Sequence, residues 1–162
     1  GLGAHGVARQ TDLSRQQGQD FLDLYFGKYP GIRDYTDRLK RQAAETGYAQ
    51  TLSGRIRRLP DIVSHNRMAR AAAERMAINM PIQGTAADVI KIAMVNIDRE
   101  MSRLEVKSRM TIQVHDELIF EVAPDELETM KNLVQEFMPS AMDLTVPLQV
   151  EVKTGNTWGD LE

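Results

Sequence analysis

The chain has 162 residues, of which 42% are hydrophobic and 27% charged, and its formal net charge is −3. These values are close to the averages of globular domains and exclude a disordered tail or a collagen-like rod. The absence of cysteine excludes disulfide frameworks, thiolate zinc sites and cysteine nucleophiles. No apolar run approaches the ~20 residues that a membrane-spanning helix needs, and no signal-peptide pattern opens the chain. We therefore expect a soluble, intracellular protein without a membrane partner.

Charge is distributed unevenly along the chain. Residues 1–75 carry 13 Lys and Arg against 8 Asp and Glu, whereas residues 76–162 carry 7 against 15. A basic half suits a polyanion and an acidic half suits cations. Two ordinary solvated surfaces give the same asymmetry, so charge alone does not choose between these interpretations.

Two helices are predicted in the first 47 residues. The chain opens on a glycine-rich stretch without Met, which is typical of a segment cut from a longer chain. Ser14 and Gln17 have the spacing of a capping box and predict a helix start. The apolar face of that helix would consist of Phe21, Leu22, Leu24 and Tyr25. A second helix is predicted from Ile32 to Thr46, ending at Gly47.

A short β-hairpin is predicted next. Residues 48–52 and 55–59 have strand character, with a turn around Ser53-Gly54 between them. Alternation along the second strand would place Arg55 and Arg57 on one face. Arginines at that spacing can follow a phosphate backbone, but charged edge strands that deter aggregation show the same pattern.

An alanine-rich helix is predicted from Asn66 to Asn79. Pro81 lacks a backbone N–H, so we expect the helix to break or kink there. We expect it to restart with Thr85 as N-cap and to continue to about Leu104.

Three polar residues, Arg75, Asn79 and Gln83, form what we call the Arg75 stripe. Arg75 and Asn79 share a helix face, and Gln83 joins them if the helical path survives Pro81. Side chains of these three types hydrogen-bond base edges, sugars and phosphates. The alternative interpretation is a solvated polar face. Because most of the neighbouring residues are apolar, a narrow polar stripe on a buried element is also consistent with the pattern.

A second hairpin is predicted from residues 110–114 and 118–122, with His115-Asp116-Glu117 at its tip. Hairpin turns favour Asn-Gly or Asp-Gly, and this tip contains no glycine, which suggests that its side chains are needed for themselves. Adjacent carboxylates are hard oxygen ligands of the kind that Mg²⁺ takes together with substrate phosphates. A plain solvated turn is the alternative.

A last helix is predicted from Asp125 to Met138. A final strand is predicted at Val146, Leu148, Val150 and Val152, which alternate strictly. These elements together predict an α+β fold in which helices pack on a small antiparallel sheet.

Three blocks of this sequence resemble family A DNA polymerases of the bacterial DNA polymerase I type: Thr51 to Pro60, Arg75 to Asp88, and Gln113 to Leu118. The ending Trp158-Gly159 is similar to the C-terminus of that family. The resemblance covers essentially the whole chain. It implies part of a polymerase palm together with the end of the fingers, with residues 1–47 on the fingers side and residues 48–162 in the palm.

The resemblance also implies residue roles. Asp116 resembles the catalytic carboxylate of motif C, which binds Mg²⁺ in a two-metal site, and Glu117 resembles its catalytic helper. His115 resembles a residue at the primer end. The remaining positions resemble DNA contacts, namely Arg55, Arg57, Arg75, Asn79 and Gln83. Gly1–His5 resembles the tail of motif B, after the fingers helix that binds the incoming nucleotide.

Several parts of the family pattern are missing from the sequence. It has no Asp-Tyr-Ser motif for the second metal-binding aspartate, no fingers helix, no thumb and no exonuclease domain. One carboxylate motif cannot clamp two metal ions. We therefore expect a fragment, inactive alone, whose partners are the upstream palm, fingers and thumb of the same polypeptide, primer-template DNA and deoxynucleoside triphosphates.

The resemblance implies DNA-directed DNA polymerase activity, a nucleotidyl transfer in DNA replication or repair. It also implies the cytoplasm of a bacterium or phage host, or an organelle. A non-catalytic DNA-binding module and a metal-dependent nuclease that uses Asp116 and Glu117 are the alternatives that the residues leave open.

Overall fold

The structure is a computed structural model that describes residues 3–161; Gly1, Leu2 and Glu162 lie outside the described residues. In this part of the chain the helices are α1 (Ala4–Gln10), α2 (Arg15–Lys28), α3 (Pro30–Thr46), α4 (Arg67–Asn79), α5 (Thr85–Arg103) and α6 (Leu127–Phe137). The strands are β1 (Tyr48–Gln50), β2 (Ile56–Arg58), β3 (Arg109–Val114) and β4 (Glu117–Glu121). A π-helical turn, Met80–Gly84, joins α4 to α5 and is called the π turn below. The contacts group the residues into two compact units, 1–85 and 86–162.

The first unit consists of α1 to α4, the hairpin β1–β2 and the π turn. The predicted capping box starts α2: the Ser14 hydroxyl accepts from Gln17 N–H, and the Gln17 side chain accepts from Ser14 N–H. Helix α3 ends at Gly47, whose φ of 78° is the left-handed conformation that glycine adopts without strain. The core of this unit is formed by Ala43, Ala49, Leu59, Ile62, Ala73, Ala77 and Met80.

Helix α1 is an element that the glycine-rich opening did not predict. It covers Ala4–Gln10 and packs against α2. Gly18 of α2 permits this packing, since a β-carbon at that position would lie 2.8 Å from the carbonyl oxygen of Ala4. The predicted apolar face of α2 is exposed over much of its length, with Leu24 at 74% and Phe21 at 51%.

Of the predicted break or kink at Pro81, the break is wrong, and the regular α-helix instead gives way to a π turn. The chain stays helical from α4 through the π turn into α5. A π turn is wider than an α turn and appears where the regular hydrogen-bond ladder is interrupted, as it is at a proline. The N-cap prediction for Thr85 is also wrong: its φ of −65° and ψ of −40° are helical, and it is the first residue of α5.

The second unit consists of the remainder of α5, the antiparallel hairpin β3–β4 and α6. The hairpin register pairs Arg109 with Glu121 and Val114 with Glu117, with an irregularity between Met110 and Ile112. Ile97, Met101, Met130, Leu133 and Val134 form the buried core of this unit. Helix α6 begins after a 3₁₀ turn at Pro124–Glu126, close to the predicted Asp125.

The predicted strand at Val146–Val152 is wrong: residues 146–152 form no strand. Val150 and Val152 still pack against the core of the second unit, whereas Val146 is 71% exposed, so the alternation marks an apolar side only in its second half. A strand also needs a neighbouring backbone to pair with, and among the described residues β3 and β4 pair only with each other.

The predicted α+β class is confirmed, although the antiparallel strands form two two-stranded sheets and most of the chain is helical. The division into residues 1–47 and 48–162 stays a prediction. Within residues 3–161 no helix is long and apolar enough to cross a membrane.

Candidate functional site

The hairpin tip in the second unit is a two-residue turn, His115-Asp116. Glu117 is the first residue of β4 and pairs with Val114, so the predicted three-residue tip is one residue too long. The side chains of His115, Asp116 and Glu117 are all exposed. The Gln113 side-chain amide donates to the carbonyl oxygen of His115. The tip therefore presents one imidazole and two carboxylates to the surroundings of the hairpin.

His115 has a φ of 54°, in the left-handed region. Two-residue hairpin turns with a positive φ at the first central position favour glycine there. A non-glycine residue held in this conformation costs of order 1 kcal/mol. The sequence therefore keeps a side chain at a position where glycine would fit the backbone better.

The hairpin tip supplies only part of a metal-ligand set. Asp116 and Glu117 provide the carboxylate oxygens that Mg²⁺ prefers. Across residues 3–161, however, no three or more His, Asp or Glu side chains are grouped so as to hold a metal ion. The donor chemistry of the tip therefore fits part of a magnesium site.

The Arg75 stripe lies in the first unit. Arg75 and Gln83 are exposed and Asn79 is half-buried. The helical path survives Pro81, so the condition for Gln83 to continue the stripe is met. The surrounding apolar residues are less buried than we expected, because Met76 is 40% exposed and Ile82 is 65% exposed beside the fully buried Ala77.

The prediction that Arg55 and Arg57 share one strand face is wrong, because β2 begins at Ile56. Arg57 is exposed on β2 and pairs with Ala49. Arg55 lies in the loop before β2, where its backbone N–H donates to the Thr51 hydroxyl at 3.2 Å. The Thr51 carbonyl oxygen accepts from Gly54 N–H at 3.0 Å, so residues 51–54 form a turn.

The Arg55 guanidinium faces the π turn. Its Nη2 donates to the carbonyl oxygen of Gly84 at 2.9 Å. Leu52 N–H donates to the Thr85 hydroxyl at 3.0 Å, so the same loop contacts the chain on both sides of the Gly84–Thr85 peptide. The helical periodicity around Pro81 did not indicate these contacts. The Ser53-Gly54 turn beside Arg55 indicated only that a loop lies there.

Glu126 joins the segment just before β3 to the start of α6, a role that the sequence pattern did not indicate. Its carboxylate accepts from Lys107 N–H at 2.8 Å, Ser108 N–H at 2.9 Å and the Ser108 hydroxyl at 2.6 Å. The Ser108 hydroxyl also accepts from Ala123 N–H at 3.1 Å. The bond from Lys107 N–H, followed by the bond from the Ser108 hydroxyl, lowers the pKa of Glu126.

The chain is similar to known proteins over nearly its whole length. The sequence profile of DNA polymerase family A matches residues 1–160. DNA polymerase I of Lactococcus lactis subsp. cremoris is 44% identical over 158 residues, which is 98% of this chain and 18% of that protein. DNA polymerase I of Mycobacterium leprae is 46% identical over 159 residues, again 98% of this chain and 18% of that protein. The chain therefore spans about a fifth of the length of these relatives.

A solved structure is also similar. It is described as the POL domain of Pol1 from M. smegmatis in complex with DNA primer-template and dNTP. The TM-score is 0.95 and the identity 44%, with 99% of this chain and 28% of that chain covered. From the profile match over nearly its full length and from these relatives, the chain belongs to DNA polymerase family A.

Proposed function

We propose that the polypeptide containing this chain is a DNA-directed DNA polymerase, a nucleotidyltransferase acting in DNA replication or repair. The observation that carries the proposal is the agreement of 99% of the chain, at a TM-score of 0.95, with a polymerase domain in complex with primer-template and dNTP. In this reaction a primer 3′-hydroxyl attacks the α-phosphate of a deoxynucleoside triphosphate. The new phosphodiester bond forms as the bond to pyrophosphate breaks.

The hairpin tip supports a catalytic role in that reaction. Asp116 is proposed to hold Mg²⁺, with Glu117 as its catalytic neighbour and His115 at the primer end. Bound Mg²⁺ supplies electrostatic stabilisation of the charge on the transferring phosphoryl group. The remaining ligands, including the second aspartate, would come from the upstream palm of the same polypeptide.

The first unit supports a role in holding DNA. Arg75, Asn79 and Gln83 combine exposed or half-buried donors on one helical path, and such donors hydrogen-bond sugars, phosphates and base edges. Arg57, which is exposed on β2, is proposed to contact phosphate. The partners of the whole polypeptide are accordingly primer-template DNA and dNTP, and those of this chain are the upstream palm, fingers and thumb. A location in the cytoplasm stays a prediction.

Primer extension distinguishes the three functions that the residues suggest. A labelled primer annealed to a longer template is incubated with the whole polypeptide, Mg²⁺ and all four dNTPs. A polymerase lengthens the primer, a metal-dependent nuclease shortens it, and a non-catalytic DNA-binding module leaves its length unchanged while retarding it in a gel. We expect lengthening; shortening or an unchanged primer would overturn the proposal.

A truncated form tests the fragment interpretation. The 162-residue chain alone is expected to give no extension under the conditions in which the whole polypeptide extends every primer, because it contains one carboxylate motif. Weak DNA binding through its arginines should persist and should fall steeply with salt. Extension by the short chain alone would contradict this account of the missing aspartate.

A further inference from the structure

The loop between β1 and β2, residues 51–55, holds the π turn through two hydrogen bonds; we call it the Thr51 loop. Leu52 N–H donates to the Thr85 hydroxyl at 3.0 Å. Arg55 Nη2 donates to the Gly84 carbonyl oxygen at 2.9 Å. Thr85 is 6% exposed, so its hydroxyl is removed from solvent and has a defined backbone partner. The two bonds contact the helical path at Gly84 and at Thr85, the two residues that directly follow Gln83.

Close packing adds to these hydrogen bonds. Thr51 is 2% exposed. A β-carbon at Gly84 would lie 2.5 Å from Thr51 Cγ2 and 3.0 Å from the Met80 sulfur. The Thr51 loop and the π turn are therefore in direct contact, and the contact needs glycine at position 84.

Hydrogen bonds within the Thr51 loop restrict its conformation. The Thr51 hydroxyl lies 2.9 Å from the Ser53 hydroxyl and accepts from Arg55 N–H at 3.2 Å. Thr51 N–H donates to the Arg55 carbonyl oxygen at 2.9 Å. These bonds cross the loop from one end to the other, which restricts the position of Leu52 N–H and of the Arg55 guanidinium.

The π turn needs an external support because its own backbone pattern is interrupted. Pro81 has no N–H to donate, and the wide turn around it leaves Ile82 and Gln83 exposed while Met80, Pro81 and Gly84 are buried. The direction of the Gln83 side chain depends on the path of this turn. The Thr51 loop fixes that path immediately after Gln83.

We propose that Thr85 and Arg55 are positioning residues, which hold the π turn so that Gln83 faces the primer-template duplex. The proposal rests on the proposed polymerase function and assigns Arg55 a role different from the DNA contact that the family resemblance implies. Arg55 acts through the backbone of Gly84, whereas Arg57 remains a candidate for direct phosphate contact.

The first test concerns the turn itself and needs no DNA. Hydrogen–deuterium exchange is measured for the amides of residues 82–86 in the whole polypeptide and in Thr85→Val and Thr85→Ser. Thr85→Val keeps the shape but removes the acceptor of Leu52 N–H, and Thr85→Ser keeps the hydroxyl. We expect faster exchange in Thr85→Val, by roughly two- to tenfold as for one net hydrogen bond, and near-normal exchange in Thr85→Ser. Equal exchange in all three proteins would overturn the positioning role.

The second test concerns DNA. The ratio of kcat/KM for a matched primer end to that for a mismatched end is compared among Thr85→Val, Gln83→Ala and the double variant. This ratio is independent of the fraction of correctly folded enzyme. We expect both single variants to shift it in the same direction and the double variant to shift it no further than Gln83→Ala. Multiplying effects, or a shift in Gln83→Ala without one in Thr85→Val, would overturn the inference.

The third test separates Arg55 from a phosphate contact. The slope of log Kd for primer-template against log salt is measured for Arg55→Ala and Arg57→Ala, which lose the same charge. A direct phosphate contact lowers the magnitude of the slope by about one when removed. We expect this change in Arg57→Ala and not in Arg55→Ala. A lowered slope in Arg55→Ala would assign Arg55 to DNA instead.

If the unaltered polypeptide shows no primer extension, the polymerase function itself is rejected. The exchange test would still decide the positioning role in that case.

Discussion

Gly84 and Thr51 approach so closely that a β-carbon on Gly84 would stand 2.5 Å from Thr51 Cγ2, inside any normal van der Waals distance. The threonine belongs to the loop between β1 and β2, and the glycine closes the π turn. Both residues are buried, so neither side can move into solvent to relieve the contact.

Gly84→Ala is therefore expected to lower the free energy of unfolding by about 1–3 kcal/mol, as other additions to well-packed interiors do. Urea denaturation of the polymerase domain measures the change. Gly27→Ala is the matched control, because Gly27 lies in α2 and a β-carbon there meets nothing within 4 Å. We expect the control to stabilise the protein by up to ~1 kcal/mol through helix propensity. Equal effects of the two substitutions would show that the Gly84 contact is unimportant.

Glu126 gives a prediction for pH. Hydrogen bonds from Lys107 N–H, Ser108 Oγ–H and Ser108 N–H hold its pKa below the ordinary value of 4.5. A carboxylate with a lowered pKa in the folded state stabilises the protein above the pKa of the unfolded state, and the contribution is lost as pH falls through the lowered folded value.

Glu126→Gln should accordingly lower Tm at pH 7, and the difference from the unaltered protein should shrink as the pH falls below about 4. Thermal denaturation at a series of pH values gives the result. Glu128→Gln is the comparison, since Glu128 is an exposed residue of the same helix start that pairs with Lys131. A Tm difference for Glu126→Gln that stayed constant down to pH 3 would contradict the proposed cause.

His115→Gly separates the backbone of the hairpin turn from its side chain. Glycine accepts the φ of 54° without strain, so the turn should be kept or slightly stabilised, by up to ~1 kcal/mol. If the imidazole contacts the primer end, extension should nevertheless slow. The measurements are Tm and the rate of primer extension on one protein preparation. Full activity in His115→Gly would show that the side chain has no role at the primer end.

Gln83→Ala should weaken extension with little preference for the identity of the terminal base pair. Minor-groove acceptors are presented in similar positions by nearly all base pairs, so a side chain that contacts them detects pairing geometry and not sequence. Extension rates from the four matched terminal pairs provide the check. A strong preference for one terminal base would indicate contact with a different part of the DNA.

Features set by local backbone chemistry could be predicted from the sequence. The capping box at Ser14 and the end of α3 at the left-handed Gly47 both lie where the sequence predicts them. Caps depend on neighbours only three or four positions away. The hairpin at residues 109–121 was predicted with strand bounds within about one residue.

Features set by distant partners could not be predicted. Pro81 ends an isolated helix, but here the helical path continues because buried packing at Met80 and Gly84 and the contacts of the Thr51 loop fix the π turn. Alternation at Val146–Val152 predicts an apolar side but contains no information on whether a strand is available to pair with. The Arg55 contact spans 29 residues and has no periodic signature.

The central claim is that Asp116, at the tip of the β3–β4 hairpin, holds the metal for nucleotidyl transfer. Asp116→Asn removes the charge with almost no change in volume, and Asp98→Asn makes the same change at an exposed residue of α5. The measurement is the single-turnover rate of incorporation of one nucleotide by the whole polypeptide. We predict a loss of roughly two orders of magnitude or more for Asp116→Asn and almost none for Asp98→Asn, because a neutral amide is a poor ligand for Mg²⁺. A loss of only a few-fold for Asp116→Asn would contradict the claim.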